Sequence, residues 1–387
     1  MKLLSLHWGF GFGGVSKYAK VLEAVPDRSP VDIHSVCILM EGRSIDQDTL
    51  DSLGSCTVIW ITGSLDFSWF KKLQDEVISY SPDVICTHGF NAHFASYLLR
   101  EDVLSGAHRI VSYHGEYYGS SPLRKVVGVF YDWFTVYFLK RTVLSIAAVA
   151  GVCKDYLVAK GVSPEKVTVI HNGIEDLRAR KETCSKLRSG WGGNTETRLI
   201  GVVSRLEPIK GVRVLIDAFA LSVEQFPALR LVIVGDGVQE QELKQHVASL
   251  GLSDKVSFAG YRSDIPECIA AFDIYVLPSY REAHSIALLE AMRAGKAIVA
   301  TDVGGNTESV RPNKDAVVVP PDNPVAMSDG LNALLADPTL LDAFGHSARE
   351  RFIHHFTVGA TVAKTAQWLI DCTANTEHKP ITKRELT

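Results

Sequence analysis

The sequence predicts an α/β protein built from two doubly wound domains. Three observations indicate this: the length of the chain, an alternation of short apolar runs with longer helical patterns, and a polar stretch near the middle. At 387 residues the chain has room for two domains of ordinary size. With 46% hydrophobic and 22% charged residues, it suits packed cores rather than disorder. The net charge of -4 gives no reason to expect a nucleic-acid partner.

Each half of the chain carries a series of short β-branched runs of the kind that parallel strands form when both faces of their sheet are covered. In the first half they are Leu3–His7, Val31–Ile38, Val84–His88, Ile110–His114, Ile146–Ala150 and Val167–Ile170. In the second half they are Leu199–Ser204, Leu231–Val234, Val256–Ala259, Ile274–Leu277, Ala297–Ala300 and Val317–Val319. Helical patterns fill most of the gaps. We therefore expect two Rossmann-like domains facing a cleft, with ligands at the carboxyl ends of the strands.

Composition sets the expected domain boundaries. We assign residues 1–172 to an amino-terminal domain and 198–355 to a carboxyl-terminal domain. The segment 173–197 is polar and glycine-containing, as an exposed linker would be. A helix at about 356–372 is expected to return to the first domain, and 373–387 to form a loose tail.

The cysteines and the amino terminus favour a cytoplasmic protein. Seven cysteines are scattered along the chain without a CxxC pair, and we interpret them as reduced thiols. The first residues lack the long apolar core of a signal peptide.

The longest apolar stretch, Val126 to Leu139, is too short to span a membrane. It is rich in aromatic residues and lies between Arg124-Lys125 and Lys140-Arg141, a layout typical of a helix in a membrane interface. Aromatic helices are more often buried, so a buried helix with solvated ends is the favoured interpretation. Peripheral contact with the inner face of a membrane through 126–139 is the alternative.

A glycine-rich loop follows the first predicted strand. Gly9, Gly11 and Gly14 satisfy the GxGxxG pattern of dinucleotide-binding proteins. However, Asp32 begins the next strand instead of ending it, and two phenylalanines occupy the loop. A glycine turn that lets a ligand approach the backbone fits better. The later Asp46-Gln47-Asp48 has the form of a metal-binding DxD sequence, and we interpret it as a solvated loop.

Two charged constellations lie in the second half. Arg205 and Lys210 bracket a strand-to-helix loop, where both cations can face an anion near a helix amino terminus. Glu282 and Glu290 form an E-x7-E pattern at the start of another helix. Eight helical residues would separate them by roughly 12 Å, more than the roughly 5–9.5 Å of glycosidase carboxylate pairs. We expect them to bind different parts of one long ligand.

Histidines end two strands of the first half. His88-Gly89 and His114-Gly115 both follow predicted strands, where an imidazole can exchange protons near neutral pH. His114 is the stronger candidate, because His88 is equally well explained as a structural histidine. His171-Asn172-Gly173 has the composition of a turn.

Taken in order, the motifs resemble glycosyltransferase family 4, whose members are retaining enzymes of the GT-B fold with an E-x7-E motif. The resemblance spans nearly the whole chain. Its parts are Gly13-Gly14-Val15, Pro82-Asp83-Val84, the run from Val167 to Gly173, Ser204-Arg205-Leu206 with Lys210-Gly211, Val234-Gly235-Asp236-Gly237, Glu282 to Glu290, and Asp302-Val303-Gly304-Gly305.

The resemblance implies a hexosyltransferase that takes a nucleotide-diphosphate sugar as donor and a glycan or lipid-linked hydroxyl as acceptor, in polysaccharide or glycolipid biosynthesis. It implies neither a cofactor nor a metal. The roles it implies are diphosphate binding for Arg205, Lys210 and Gly14, ribose binding for Glu290, contact with the transferred sugar for Glu282 and His114, and a border to the base for Tyr261 and Arg262. Ala283-His284-Ser285 replaces the usual glycine-rich step after the first glutamate, which leaves the sugar preference open.

Three alternatives remain open at this stage. A GT-B relative that epimerises or hydrolyses sugar nucleotides would act without an acceptor. A non-catalytic sugar-nucleotide binding protein would bind without turnover, although retention of all four charged residues argues against it. A nicotinamide oxidoreductase would bind its cofactor on the first domain, through Gly9, Gly11 and Gly14.

Overall fold

The computed structural model describes residues 1–9, 14–26, 30–42, 50–51, 53–63, 65–115 and 122–374. Within these ranges the chain forms two parallel sheets. Their strands are β1 (Lys2–Trp8), β2 (Asp32–Met40), β3 (Cys56–Ile61), β4 (Val84–His88), β5 (His108–Tyr113), β6 (Val143–Ala148), β7 (Val167–Val169), β8 (Arg198–Val203), β9 (Leu229–Val234), β10 (Val256–Gly260), β11 (Ile274–Leu277), β12 (Ala297–Thr301) and β13 (Val317–Val319).

Helices connect most of these strands, as parallel pairing demands. The α-helices are Gly14–Glu23, Ser68–Tyr80, Phe90–Leu98, Glu101–Leu104, Pro122–Arg141, Gly151–Ala159, Lys181–Gly190, Val212–Gln225, Glu240–Ser249, Ile265–Ala271, Ile286–Arg293, Asn306–Ser309, Pro324–Ala336, Pro338–His355 and Val358–Ala374. Short 3-10 turns lie at Pro164–Lys166 and Pro208–Lys210.

The chain forms two compact units, of which the first comprises Met1–Gly173 and the helix Val358–Ala374. In the described part of this unit the strand order is β3-β2-β1-β4-β5-β6-β7, and adjacent strands are parallel. The sequence prediction omitted β3. This strand lies at the sheet edge, where Trp60 is 44% exposed, so its burial pattern is weaker than that of the central strands.

The second unit, Ile174–Thr357, has the strand order β10-β9-β8-β11-β12-β13. Apolar side chains cover both faces of its sheet. The pairing of β8 with β11 depends on Gly201, because a Cβ atom there would lie 2.0 Å from the ring of Phe272. The order reverses between β8 and β11, which is the switch point where doubly wound sheets bind ligands. The predicted fold class, two Rossmann-like α/β units, is confirmed.

The end of the chain packs with its beginning. Along the helix Val358–Ala374, Trp368 and Leu369 join Leu3 and Tyr18 in one apolar cluster. The indole Nε1 of Trp368 donates a hydrogen bond to Ser145 Oγ at 2.8 Å. Residues 375–387 of the expected tail lie outside the described residues.

The segment expected to be an exposed linker is partly helical. Over Lys181–Gly190 it forms a helix that packs on the helix Ile265–Ala271 of the second unit. Arg188 donates from Nη1 to the carbonyl of Ala271 at 2.9 Å, and Arg180 Nε donates to Glu267 Oε1 at 2.7 Å. These polar contacts hold the segment against the unit, which its hydrophilic composition alone did not indicate.

Candidate active site

A partly buried ion pair lies at the switch point of the second sheet. Lys210, in the 3-10 turn after β8, donates from Nζ to Glu282 Oε1 at 2.7 Å. Ser279, just beyond β11, donates its hydroxyl proton to the same oxygen at 2.7 Å. The side chains of Lys210 and Glu282 are 20% and 9% exposed. The structure therefore brings together two residues that lie 72 positions apart and that the sequence singled out separately.

Backbone contacts hold the loop after β8, which carries Lys210, against the loop after β11, which carries Glu282. The amide of Tyr280 donates to the carbonyl of Ile209 at 2.8 Å. Gly211 has φ +63°, and a Cβ atom there would lie 2.1 Å from the carbonyl oxygen of Pro278. Because only glycine tolerates both this conformation and this approach, Lys210 is fixed beside the loop that carries Glu282.

The loop after β12 closes on the backbone of Glu282. Gly304 has φ +52°, and a Cβ atom there would lie 1.7 Å from the carbonyl oxygen of Glu282. The hydroxyl of the buried Thr301 donates to the carbonyl of Ser279 at 2.6 Å. Sequence reasoning missed Thr301 and Ser279 as site residues, although the Pro278-Ser279 step after a buried strand was a usable signal.

Glu290 lies in the helix Ile286–Arg293, whose amino terminus is capped by Ser285 Oγ, which accepts from the amide of Leu288. The helix begins after Glu282, so the two glutamates are not on one helix as their spacing suggested. Both carboxylates nevertheless influence the pKa of Tyr275, a buried residue of β11. Burial raises the pKa of this phenol well above its usual range, and the nearby carboxylates of Glu290 and Glu282 raise it further. Tyr275 was not predicted, and it stays protonated as a neutral neighbour of both glutamates.

Arg205 lies in the loop just after β8 and is paired with a neighbour in sequence. Its Nη1 lies 2.6 Å from Glu207 Oε1, and its side chain is 63% exposed. The loop is fixed by Gly235, where a Cβ atom would lie 1.9 Å from the carbonyl oxygen of Ser204. An exposed ion pair of this kind contributes little to stability and exchanges partners readily.

The residues expected to border a base follow β10. Tyr261 is 53% exposed and comes directly after Gly260, which has φ +66°. Arg262 donates two hydrogen bonds to Asp264, at 2.7 and 2.6 Å. These bonds from the guanidinium hold the pKa of Asp264 below its usual range.

In the first unit, histidines cluster at the carboxyl ends of β1 and β4 and just beyond β5. The rings of His7 and His88 stack with centroids 4.4 Å apart, and Ser5 Oγ lies 2.8 and 3.1 Å from their Nε2 atoms. His114 Nε2 lies 3.1 Å from Ser112 Oγ. Burial lowers the pKa of His114 to about 4. Near neutral pH this imidazole is therefore uncharged, and it can act as a hydrogen-bond partner.

The other sequence motifs are described only in part. Gly14 is the first residue of the helix Gly14–Glu23. Gly11 of the GxGxxG pattern and Asp46-Gln47-Asp48 lie outside the described residues.

Among the residues that the structure describes, no group of three or more histidine, cysteine or acidic side chains is arranged to hold a metal ion. Over the same residues, no helix combines the length and the apolar character needed to cross a bilayer.

Comparison with known proteins defines the class. A model described as "Glycosyltransferase Family 4" matches residues 13–178, and one described as "Glycosyl transferases group 1" matches residues 185–351. The fold is similar to that of Anabaena Alr3699/HepE, solved in complex with UDP and glucose. The TM-score is 0.81 at 23% sequence identity, covering 96% of this chain and all of that one. The two family models and the fold thus define a GT-B glycosyltransferase. The chain belongs to family 4 of these proteins, as its motifs predicted.

The chain matches about half the length of some curated relatives and most of the length of another. The D-inositol 3-phosphate glycosyltransferase of Streptomyces bingchenggensis is 30% identical over 207 residues, which are 50% of this chain and 46% of the relative. The chain likewise spans 51% of the N-acetyl-alpha-D-glucosaminyl L-malate synthase of Bacillus anthracis. The UDP-Gal:alpha-D-GlcNAc-diphosphoundecaprenol alpha-1,3-galactosyltransferase of Escherichia coli is 26% identical over 80% of this chain and 79% of its own.

Proposed function

We propose that the protein transfers a hexosyl group, with retention of anomeric configuration, from a nucleotide-diphosphate sugar to an acceptor hydroxyl. The observation that carries this proposal is the Lys210–Glu282 pair at the switch point of the second sheet. An ammonium group beside a partly buried carboxylate suits a ligand in which a diphosphate adjoins a sugar, because the ammonium group attracts the diphosphate and the carboxylate accepts hydrogen bonds from sugar hydroxyls. A uridine diphosphate sugar is the leading donor, since the Anabaena structure contains UDP.

Each site residue has a role in this reaction. Lys210 binds the diphosphate, joined by Arg205 once the ligand replaces Glu207 as its partner, and we propose the same role for Gly14. Glu282 accepts hydrogen bonds from the transferred sugar and Glu290 from the ribose. Tyr261 and Arg262 border the base. His114, uncharged near neutral pH, hydrogen-bonds the sugar near its reacting carbon.

Retention follows from attack on the face that the leaving group vacates. The bond between the anomeric carbon and the diphosphate oxygen breaks first, giving an oxocarbenium-like state. The acceptor oxygen then bonds to that carbon on the same face, and its proton passes to the departing diphosphate. The cations of Lys210 and Arg205 stabilise the charge that develops on the diphosphate, which is why the proposal requires no metal.

The acceptor in this proposal is a glycan or lipid-linked hydroxyl in cell-surface polysaccharide or glycolipid biosynthesis. The name of the Escherichia coli relative, which includes a diphosphoundecaprenol acceptor, supports the lipid-linked form. Such an acceptor would place the protein in the cytoplasm at the inner face of a membrane.

The test is a donor panel of uridine, guanosine and adenosine diphosphate sugars. We expect one donor to raise the melting temperature and to release nucleoside diphosphate slowly without acceptor. Glu282→Gln and Lys210→Met should each lower this release about 100-fold or more, the size of effect seen when one transition-state contact is lost. Glu240→Gln is the matched control, because Glu240 pairs with Lys244 on the surface of the same unit.

Each other outcome contradicts the proposal in a recognisable way. Conversion of the donor into an isomer, with no nucleoside diphosphate released, would indicate an epimerase. Stabilisation without any turnover in the presence of diverse acceptors would indicate a binding protein. NMR of the first sugar released should show the anomer of the donor, and the opposite anomer would exclude retention.

A further inference from the structure

The helix Pro122–Arg141 has an exposed aromatic side. Phe134, Phe138 and Leu139 face the core and are buried. On the opposite side, Phe130 is 57% exposed and Trp133 is 60% exposed. Val129 and Tyr137 continue this stripe at helical spacing. The expectation of a buried helix is therefore correct for one face and wrong for the other.

A second helix widens the stripe into a surface. Phe94 and Tyr97, from Phe90–Leu98, are both more than one-third exposed, and their rings lie 5.5 and 5.4 Å from that of Phe134. The rings of Trp133 and Tyr137 stack with centroids 5.7 Å apart. We name this surface the aromatic face, defined by Phe94, Tyr97, Val129, Phe130, Trp133 and Tyr137. A contiguous exposed apolar surface of this kind marks an interaction site.

The helix that supplies most of the aromatic face has more basic than acidic residues in its sequence. The sequence of the helix Pro122–Arg141 contains four basic residues and one acid, Asp132. Asp132 is neutralised, because it accepts from the hydroxyl of Tyr156 and pairs with Lys160 Nζ at 3.0 Å. At the end of the helix Lys140 and Arg141 are exposed, and the Arg141 guanidinium lies 5.7 Å from the ring of Tyr137.

We infer that the aromatic face binds the headgroup region of an anionic lipid bilayer, with its helices lying in the plane of the interface. Tryptophan and tyrosine suit this environment, because one part of the ring system is apolar and the other is polar. Lys140 and Arg141 are then attracted to anionic headgroups. A second copy of the chain would meet the same excess of positive charge, which favours lipid as the occupant. The inference rests on the proposed function in one respect only: transfer to a lipid-linked acceptor explains why the protein would bind a membrane.

Vesicle binding tests the inference without any substrate, so it can fail independently of the proposed transferase activity. The full chain is mixed with vesicles of phosphatidylcholine containing phosphatidylglycerol, and with phosphatidylcholine alone, and the bound fraction is measured by flotation. We expect binding to the anionic vesicles that weakens with salt. Phe130→Ser combined with Trp133→Ser should lower the partition coefficient about ten-fold or more.

Control substitutions elsewhere in the same unit test whether lipid binding depends on the aromatic face itself or on the overall apolarity and charge of the surface. Trp60→Ser with Phe67→Ser removes two exposed aromatics elsewhere in the same unit and should leave partitioning unchanged. Lys140→Glu with Arg141→Glu should abolish the preference for anionic vesicles, whereas Lys71→Glu with Lys72→Glu should keep it. Melting temperatures confirm that each variant is folded.

Two results would overturn the inference. One is wild-type protein that stays unbound on anionic vesicles at low salt, or that binds equally after the Phe130 and Trp133 substitutions. The other is a dimer in sedimentation velocity that the same two substitutions dissociate, with no effect on lipid. That second result would assign the aromatic face to self-association.

Discussion

Gly304 is the residue whose replacement most directly tests the geometry of the site. A Cβ atom at this position would lie 1.7 Å from the carbonyl oxygen of Glu282, and the residue has φ +52°. Gly304→Ala must therefore displace the loop that carries Glu282 and Ser279. We expect donor-induced stabilisation to disappear and the free energy of unfolding to fall by about 2 kcal/mol or more, measured by urea titration.

Gly251→Ala is the control for backbone strain alone. Gly251 has φ +69°, but no atom lies within 4 Å of its hypothetical Cβ. It should cost about 1–2 kcal/mol through the left-handed conformation and leave donor binding intact. If the two variants behave alike, close approach at Gly304 does not shape the site.

Among the elements, the carboxyl ends of β1 and β4 hold buried imidazoles that make the first unit sensitive to acid. Burial lowers the pKa of His7, in β1, and of His93, in the helix Phe90–Leu98 that follows β4, to about 3. A histidine in the unfolded chain titrates near about 6.5. Below that pH the unfolded chain binds protons that the folded unit excludes, so the free energy of unfolding falls as the pH falls. The stability that each uncharged histidine preserves is fully present above about pH 6.5. Below that pH the free energy of unfolding falls by about 1.4 kcal/mol per pH unit for each histidine.

His93→Asn isolates one of these imidazoles, because an asparagine amide can replace the contact of His93 Nδ1 with Thr87 Oγ1, 2.8 Å in the structure. Between pH 6.5 and 5 the wild type should lose about 2 kcal/mol more than this variant. Tryptophan fluorescence in urea measures the difference, since five of the six tryptophans lie in the first unit. His354→Asn, at an exposed position, is the control and should show the same dependence of the free energy of unfolding on pH as the wild type. Equal slopes for His93→Asn and wild type would show that His93 is protonated in the fold.

Elements differ in how far their sequence determines them. The central strands were predictable because both faces are buried and the apolar run is unbroken, as in β4 and β11. The edge strand β3 was not, and neither was the outward face of Pro122–Arg141, because an aromatic run does not specify which side meets the core. Within the site, motif residues such as Glu282 were identified, whereas Tyr275 and Thr301 acquire importance only from the packing around them.

At the scale of the whole molecule, the chain returns to its first unit after completing the second. The side chain of Trp368 is 3% exposed, packs with Leu3 and Tyr18, and donates to Ser145 Oγ. Composition predicted this helix, but the residues against which it packs lie more than 200 positions away in the chain. Stability of the first unit therefore depends on residues that follow the second unit in sequence.

Trp368→Ala should consequently destabilise the first unit and spare the second. Loss of a buried indole costs about 3–5 kcal/mol, and here it also leaves Ser145 without its donor. Hydrogen exchange followed by mass spectrometry should show faster exchange in β1 and β6, while β11 and β12 keep wild-type rates. Trp191→Ala, which removes a ring packed 5.8 Å from that of Phe272 in the second unit, should give the reverse pattern. If Trp368→Ala instead accelerates exchange equally in both sheets, the two units unfold as one cooperative body, and the separate cores do not correspond to separate units of stability.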